Sequence, residues 1–250
     1  MRVLILGATG KLGSRTAAAL IARRHTTVAF VRTPSKLPPL LLEALAGVRS
    51  GDARSASDIK KAIVDHGCDA VVNTAGYAAM APWGKSDLPA IVDAVIAAAV
   101  DVGSERGHPP RVWFLGGQGI MDLPGQKHMI VDYMHLFPEH RITWAKLNAL
   151  PRSKLIWSIL CPGVMQPRSK TTYPFDTSAS EENLLAAAGI APEWSAAFLC
   201  TPLVGGYLNI MAQAAAYGTT LEDNADFIAK DLEQGEDSAW IFQKVGVKEK

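Results

Sequence analysis

The chain has few cysteines, almost no net charge and no long uninterrupted apolar run. Its three cysteines, Cys68, Cys161 and Cys200, are widely spaced and form no C-x-x-C pair. Separated thiols in an odd number are typical of a reducing compartment, so we expect a cytoplasmic protein without disulfides. Lysine and arginine total 25 against 24 acidic residues, a formal net charge of +1. Such balance creates no long-range field, so neither nucleic acid nor an anionic membrane is expected as a partner.

The longest apolar stretch, residues 88–102, is interrupted by Asp93 and Asp101, which indicates a buried helix and not a membrane span. The apolar run at residues 3–6 is too short for the core of a secretory signal. The 250 residues are 48% hydrophobic, which is sufficient for one domain with its own core. We therefore predict a single domain over residues 1–250.

Strand-like and helix-like segments alternate through the first two thirds of the chain. The apolar, β-branched runs predict strands at residues 3–6, 27–31, 70–72, 112–115 and 156–160, with a further strand closing at Gly51-Asp52. Helices are predicted between them, at residues 14–24, 40–45, 57–64 and 88–102 and, interrupted by Pro151, at 148–154. Strands this apolar are covered on both faces. The pattern predicts an α/β fold with a doubly wound, Rossmann-type parallel sheet of order 3-2-1-4-5-6, with residues 1–165 as the cofactor-binding core.

The regularity fades after Pro167, and we predict that residues 166–250 form a small substrate-capping region. Residues 194–217 are apolar and helix-like, although Pro202 and Gly205-Gly206 interrupt them. This segment fits either a cap over a small-molecule site or the surface of a homodimer. Residues 219–222, Thr-Thr-Leu-Glu, indicate a capping box that opens a helix to about residue 232, and residues 240–245 indicate a late strand.

A glycine-rich turn, Gly7-Ala8-Thr9-Gly10-Lys11-Leu12-Gly13, lies between the first strand and the first helix. Gly7 allows the tight turn, Gly10 lets the backbone approach a diphosphate, and Gly13 lets helix and strand pack closely. The phosphates would then lie at the helix N-terminus, where free N–H groups and the helix dipole favour anions. The alternative is a glycine-rich turn without a ligand.

The second strand ends in Val31-Arg32. An NAD site usually carries Asp or Glu here to accept hydrogen bonds from the ribose 2′-hydroxyl, whereas an arginine can pair with a 2′-phosphate. Arg32, with Lys36 nearby, therefore predicts NADP(H), unless Arg32 is only a solvated loop residue.

Two further strand ends are candidate cofactor contacts. Asp52 would accept from the adenine amino group or serve as a turn aspartate. Asn73, Thr74, Ala75 and Gly76 follow the fourth strand, where small residues let the backbone pass under the cofactor ribose. Asn73 would either contact the cofactor or only cap the strand end.

Together these residues resemble the atypical short-chain dehydrogenase/reductase superfamily, in particular its NmrA-like, NAD(P)-binding members. The segment from Ser153 through Trp157-Ser158-Ile159-Leu160-Cys161-Pro162-Gly163 also resembles a strand of that family, with Cys161 where arginine is common. The resemblance covers about residues 1–165 and the helix near the end. It implies NADP(H) binding and a role in small-molecule metabolism.

The chain departs from the superfamily in its catalytic residues. Classical members use Ser, Tyr and Lys, because the lysine lowers the tyrosine pKa for proton exchange with the substrate. Here Gly116-Gly117 stands at the serine position, and Tyr133 is followed four residues later by Phe137. Lys146 lies one turn from the place where relatives carry the lysine.

The segment around His128, His135 and His140 is the other candidate for chemistry. Its H-x₆-H-x₄-H spacing with Pro138 does not fit a metal site, so no metal is predicted. We expect it beside the nicotinamide or, alternatively, as a polar surface segment. The predicted acid–base candidates are Tyr133, Asp132, His128 and Lys146. Met129, Met165 and Trp194 are predicted to line an apolar substrate pocket, although core packing would also explain them.

The function predicted from the sequence is an NADP(H)-dependent oxidoreductase that acts on an apolar or aromatic small metabolite, in secondary-metabolite biosynthesis. Two alternatives remain open at this point. The first is a redox-neutral cyclase or isomerase on the same scaffold. The second is a non-enzymatic NAD(P)-sensing regulator, as the NmrA-like resemblance allows.

Overall fold

The computed structural model describes residues 1–79 and 86–250. The strands are β1 Arg2–Leu6, β2 Thr26–Val31, β3 Gly47–Ser50, β4 Ala70–Asn73, β5 Arg111–Leu115, β6 Ile156–Cys161, β7 Met165–Gln166, β8 Leu184–Ala188, β9 Thr219–Thr220 and β10 Lys244–Glu249. The α-helices are α1 Lys11–Ala22, α2 Pro39–Ala44, α3 Ala56–Asp65, α4 Leu88–Arg106, α5 Glu139–Ala149, α6 Gly205–Gln213 and α7 Leu221–Glu233. Short 3₁₀ turns include Gln118–Ile120, Ile130–Asp132 and Ala214–Tyr217.

One eight-stranded sheet has the order β3-β2-β1-β4-β5-β6-β10-β8. All its neighbouring pairs are parallel except β10 with β8, which is antiparallel. The predicted α/β fold with a doubly wound parallel sheet is confirmed, and its first six strands have the predicted order. β10 and β8 extend this sheet beyond β6, while β7 pairs with β9 in a small separate sheet.

The central strands are apolar because helices cover both of their faces. α1 and α7 pack against each other on one face, where Leu20 and Ile228 are fully buried. α3 and α4 pack together on the other face, where Ile63 and Val95 are fully buried. The carboxyl ends of the parallel strands all emerge at one edge, which is where such folds place their ligands.

Several element boundaries differ from the sequence predictions. Residues 148–154 do not form a helix of their own, because α5 occupies Glu139–Ala149 and ends ahead of Pro151. Within residues 194–217, the α-helix covers only Gly205–Gln213. The last strand is Lys244–Glu249, not residues 240–245. The backbone N–H of Asp58 bonds to the side chain of Ser55, so Ser55 caps α3, which begins at Ala56 and not at residue 57.

Helix α7 is joined to the rest of the fold by buried ion pairs. It carries Glu222, Asp223, Asp226 and Asp231, each 8% exposed or less. Their respective partners are Arg15, Arg168, Arg23 and Arg111, which come from α1 and its end, from the segment after β7 and from β5. The helix is capped by Thr220, whose hydroxyl accepts from the N–H of Asp223, so the cap lies one residue later than the box predicted at residues 219–222. Within the described ranges, none of the helices has both the length and the apolar character that a bilayer span requires.

Candidate cofactor groove and apolar cavity

The turn between β1 and α1 has almost no free space. Gly7 has a φ of +84°, in the left-handed region where glycine carries no Cβ penalty. A Cβ on Gly13 would lie 2.1 Å from the carbonyl oxygen of Gly7 and 2.6 Å from Oγ1 of Thr74. The two glycines therefore have the roles expected for them: one makes the turn, and the other allows α1 to approach the strands.

The N-terminus of α1 is open to an anion. Gly10 is its cap residue, and none of the described side chains bonds to the first turn in a capping role. Lys11 is exposed at this end, whereas Leu12 points into the core. The free N–H groups of this turn and the helix dipole favour a phosphate group, and the lack of side chains at Gly7 and Gly10 gives it access to the backbone.

A polar groove of about 490 Å³ extends from this turn to the ends of β2 and β4. Its lining comprises Gly7, Thr9, Gly10, Phe30, Val31, Arg32, Thr33, Lys36, Gly51, Ala53, Thr74, Ala75 and Gly76. Arg32 and Lys36 are exposed, and among the described residues neither is held in an ion pair. Two unpaired cations in one groove with an open helix N-terminus fit a dinucleotide that carries an additional phosphate.

Asp52 lies beside a smaller cavity of about 220 Å³ that adjoins this groove. Its carboxylate accepts from Arg54, with Oδ2 lying 2.7 Å from Nη2. This bond lowers the pKa of Asp52 to about 2. Asp52 is therefore ionised and paired within its own turn, while its predicted contact to adenine stays a prediction.

The segment after β4 is fixed by its own polar side chains. Oδ1 of Asn73, which is 2% exposed, accepts from the N–H of Ala75 over 3.1 Å. The hydroxyl of Thr74 donates to the carbonyl of Leu6 over 2.6 Å. Asn73 thus caps the strand end, and Gly76, with a φ of +91°, turns the chain along the groove.

A second cavity, of about 430 Å³, lies where β5 and β6 end. Most of the side chains around it are apolar, and they come from the β5 and β6 exits, the 130–140 segment and α6. The lining residues are Ala78, Gly116, Gly117, Gln118, Gly119, Ile130, Met134, Leu136, Phe137, His140, Pro162, Gly163, Val164, Met165, Trp194, Ile210 and Ala214. Gln118 and His140 supply its polar side chains, and no charged side chain is among those lining residues. Ala75 and Gly76 border the groove and Ala78 borders this cavity, so one short segment after β4 adjoins both.

His140 lies in the first turn of α5, with its imidazole against the backbone of Gly117. A Cβ on Gly117 would lie 2.9 Å from the ring carbon Cδ2, so glycine makes room for the ring. Burial lowers the pKa of His140, and the charge of Glu139 opposes that effect only in part. The imidazole is therefore mainly neutral at pH 7.

The four predicted acid–base residues lie outside the lining of this cavity. Tyr133 donates to Oε1 of Gln126 over 3.1 Å, and its ring packs on Gly206. Asp132 accepts from the N–H of Met129 and pairs with Arg141.

The other two candidates are held by surface pairs. Nδ1 of His128 lies 3.7 Å from Asp132, and Nζ of Lys146 lies 2.5 Å from Asp93. Of the predicted substrate residues, Met165 and Trp194 line the cavity, whereas Met129 packs against the core beside it.

Sequence reasoning named His140 only as part of a histidine cluster and did not select it. The signal that could have found it is the helix start. Once α5 is placed at Glu139, directly after Pro138, His140 occupies the end of the helix that faces the β5 exit. Gly117, which stands near the usual serine position, then provides space for the imidazole.

Residues 7–191 match the model of the family described as NAD(P)H-binding. The chain belongs to this NAD(P)H-binding family. The match covers the glycine turn, the groove and the ends of β5 and β6, and it confirms the family predicted from the sequence. None of the curated proteins matches the chain.

Several solved structures share the fold of this chain, although their sequence identity to it is low. A putative NADH-flavin reductase from Streptococcus pneumoniae has a TM-score of 0.67 at 16% identity, with 100% of both chains covered. An anaerobilin reductase from Escherichia coli O157:H7 has a TM-score of 0.63 at 18% identity, covering 100% of this chain and 97% of that one. A short-chain dehydrogenase/reductase from Veillonella parvula, solved in complex with NADP, has a TM-score of 0.62 at 14% identity, covering 99% and 94%. At these identities the likeness establishes the fold.

Proposed function

We propose that this protein is an NADP(H)-dependent oxidoreductase that acts on a neutral, apolar or aromatic small metabolite. The observation that carries the proposal is a pair of cavities bordered by the same segment after β4: a polar groove with two unpaired cations, and an apolar cavity at the ends of β5 and β6. The reductase names of two structural neighbours and the NADP complex of a third agree with it.

The cofactor preference is argued from Arg32 and Lys36. A 2′-phosphate next to the end of β2 would meet a guanidinium and an ammonium that form no ion pair among the described residues, since Asp52, the carboxylate whose charge acts on Arg32, is bonded to Arg54. A ribose 2′-hydroxyl would find no acidic side chain at the position of Arg32 to accept its hydrogen bond. This arrangement favours NADP(H) over NAD(H).

When bound, the nicotinamide supplies or accepts a hydride. The residues of the chain bind the cofactor and the substrate and orient them for that hydride transfer. The turn at Gly7 and Gly10 admits the diphosphate to the N-terminus of α1. Gly116, Gly163 and Val164 form the part of the cavity floor where the strands end, and Trp194 and Ile210 exclude water from the opposite side.

The substrate class follows from the cavity lining. Its walls are apolar, so binding a carboxylate or phosphate there would leave an anion without a partner, which is unfavourable. A neutral ring system with one or two hydrogen-bonding groups fits the two polar side chains present. Such compounds are common in secondary metabolism, and that role and a cytoplasmic location are part of the proposal.

Isothermal titration calorimetry with NADPH and NADH tests the cofactor assignment. We expect tighter binding of NADPH, and we expect Arg32→Gln to weaken it by about 10- to 100-fold, the range for a lost charge-assisted hydrogen bond. NADH binding should change little. Lys61→Gln on the exposed face of α3 is the matched control. Equal affinity of the wild type for both cofactors would refute the NADP(H) preference.

Consumption of NADPH separates the oxidoreductase from its alternatives. The assay follows absorbance at 340 nm with neutral aryl ketones such as 1-tetralone. Binding of NADPH without turnover of any ketone or enone would favour the redox-neutral enzyme or the sensor instead.

A further inference from the structure

Two polar side chains in the wall of the apolar cavity have unsatisfied atoms. Nδ1 of His140 and Nε2 of Gln118 are buried, and neither has a hydrogen-bond partner among the described residues. A third such atom, Oε2 of Glu139, lies on the residue next to His140. Buried polar groups are nearly always paired, and an unpaired one costs about 1–3 kcal/mol. Because His140 and Gln118 both line the cavity, their two unsatisfied atoms indicate a site whose partner is a ligand.

The local backbone also holds His140 in place. Phe137 has a φ of +54°, which is uncommon for a bulky side chain, and its ring lies against the imidazole with centroids 6.3 Å apart. Strain of this kind is concentrated at functional sites. On its other side the imidazole occupies the space that the missing side chain of Gly117 leaves free.

We propose that His140 is the catalytic acid–base residue of the reaction, and that Gln118 binds the same substrate oxygen. The substrate is then a ketone or enone, or the matching alcohol, carried on an apolar ring system. This inference rests on the proposed oxidoreductase function. It assigns the exchanged proton to Nδ1, the buried ring nitrogen that has no hydrogen-bond partner among the described residues.

The atoms balance in both directions. In reduction, hydride from the reduced cofactor forms the new C–H bond, the π electrons of C=O move to oxygen, and the Nδ1 proton of an imidazolium completes the hydroxyl. The neutral imidazole is then reprotonated from water. In oxidation, neutral His140 accepts the hydroxyl proton while the oxidised cofactor accepts the hydride.

The charged groups around His140 set the direction of its pH dependence. Glu139, on the same helix, is the described charged group whose field acts on the imidazole, and it favours the protonated form. The elements packed against the imidazole contribute the neutral side chains of Gln118 and Phe137. The nearby charged side chains form two ion pairs at the surface, Asp132 with Arg141 and Asp93 with Lys146. Burial outweighs Glu139, so the pKa lies below its ordinary value. Ketone reduction should therefore accelerate as pH falls through that lowered pKa, and alcohol oxidation should accelerate as pH rises through it.

The kinetic test compares His140→Gln with wild type, using NADPH and 1-tetralone over a range of pH. We expect kcat to fall by about 100-fold or more, as for loss of a general acid, and the pH dependence of kcat/KM to become flat. His135 is an exposed histidine on the same segment, and His135→Gln should keep the wild-type kcat and the wild-type pH dependence of kcat/KM. An unchanged pH profile in His140→Gln would overturn the proposal. Gly117→Ala, which displaces the imidazole, should also lower kcat without lowering NADPH affinity.

A binding measurement tests the same contact without turnover. The imidazole ¹⁵N resonances of the NADP⁺ complex are recorded with 1-tetralone and with tetralin, which lacks the oxygen. The His140 signal, assigned from its absence in His140→Gln, should shift with the ketone and not with the hydrocarbon. An identical response to both compounds would contradict the hydrogen bond.

The outcomes separate the two proposals. If wild-type protein reduces 1-tetralone but His140→Gln does so with an unaltered pH profile, the assignment of His140 is wrong and the oxidoreductase function stands. If NADPH binds and no carbonyl compound is reduced, the oxidoreductase function itself is wrong.

Discussion

Gly13 has the least space of the glycines in the cofactor turn, because its missing Cβ would overlap the carbonyl oxygen of Gly7. A helix and two strand exits meet at this residue, and backbone atoms cannot move aside as the end of a flexible side chain can. Gly117 has a comparable role at the apolar cavity, because its lack of a side chain leaves space for the ring of His140.

Gly13→Ala is expected to destabilise the protein by about 1–3 kcal/mol, the usual range for overpacking. It should also weaken NADPH binding, because α1 must move away from the β1 turn. Urea unfolding and calorimetry measure the two effects. Gly218→Ala is the control: its φ of −64° is ordinary and its Cβ would contact nothing within 4 Å. If the two variants unfold at the same urea concentration, the packing argument for Gly13 is wrong.

At the residue scale, the cofactor half of the site was predictable and the substrate half was not. Gly7 and Gly13 act through local backbone geometry, which a strand–turn–helix pattern already implies. His140 depends on where α5 begins and on which residue faces it across the cavity, and neither is encoded in the spacing of the histidines. Tyr133 illustrates the difficulty, because its ring packs on Gly206, 73 positions further along the chain.

Among the elements, α7 shows most clearly how the last third of the chain is joined to the first. Its buried carboxylates are each paired with an arginine from elsewhere. Glu222 accepts from Arg15 over 2.6 Å and from the backbone N–H groups of Arg168 and Ser169. Burial alone would raise the pKa of Glu222, but these donors outweigh it, and the pKa is lowered.

The lowered pKa of Glu222 implies that part of the protein's stability is lost at acidic pH. The unfolded chain binds a proton at the ordinary pKa, while the folded chain does so only at a lower pH. The stabilisation is therefore present above the ordinary value and is lost as pH falls through the folded one. Glu222→Gln should thus lose less stability than wild type between pH 7 and pH 3 in urea unfolding. Glu43→Gln, exposed on α2, should behave as wild type does. A Glu222→Gln variant that follows the wild-type acid curve would contradict the prediction.

Element types were predicted better than their boundaries. The parallel strands were recognised because both of their faces are apolar, which is a property of the sequence itself. α5 was misplaced because Pro151, which follows the real helix, was read as an interruption within a helix at residues 148–154. In residues 194–217 the apolar pattern suggested a longer helix. Asn209 instead bonds to the carbonyls of Ser195 and Ala197, which holds the preceding stretch as a loop.

Over the whole molecule, Arg111 and Asp231 link β5 to α7 through the interior. Oδ2 of Asp231 accepts from Arg111 over 3.1 Å and from the indole N–H of Trp113 over 2.8 Å. Burial lowers the pKa of Arg111 to about 10, against the opposing effect of Asp231. The guanidinium is thus still charged at neutral pH and needs its carboxylate.

Asp231→Ala should lower the free energy of unfolding by about 3–5 kcal/mol, because it leaves a buried cation unpaired. Replacing both residues, with Arg111→Met and Asp231→Leu, should recover part of that loss. The measurement is the urea midpoint at constant slope. If the double variant is no more stable than Asp231→Ala, the unpaired charge is not the cause of the loss.

The ion pairs of α1 join residues that are very distant in sequence: Arg15 and Glu222 are separated by 207 positions, and Arg23 and Asp226 by 203. During synthesis on the ribosome, the diphosphate-binding turn emerges early but the partners of its helix emerge near the end. A nascent chain that stops before residue 222 therefore exposes two arginines without their carboxylates. We expect that coenzyme cannot rescue such a truncated chain, which would be degraded as incomplete although it carries the whole nucleotide fingerprint.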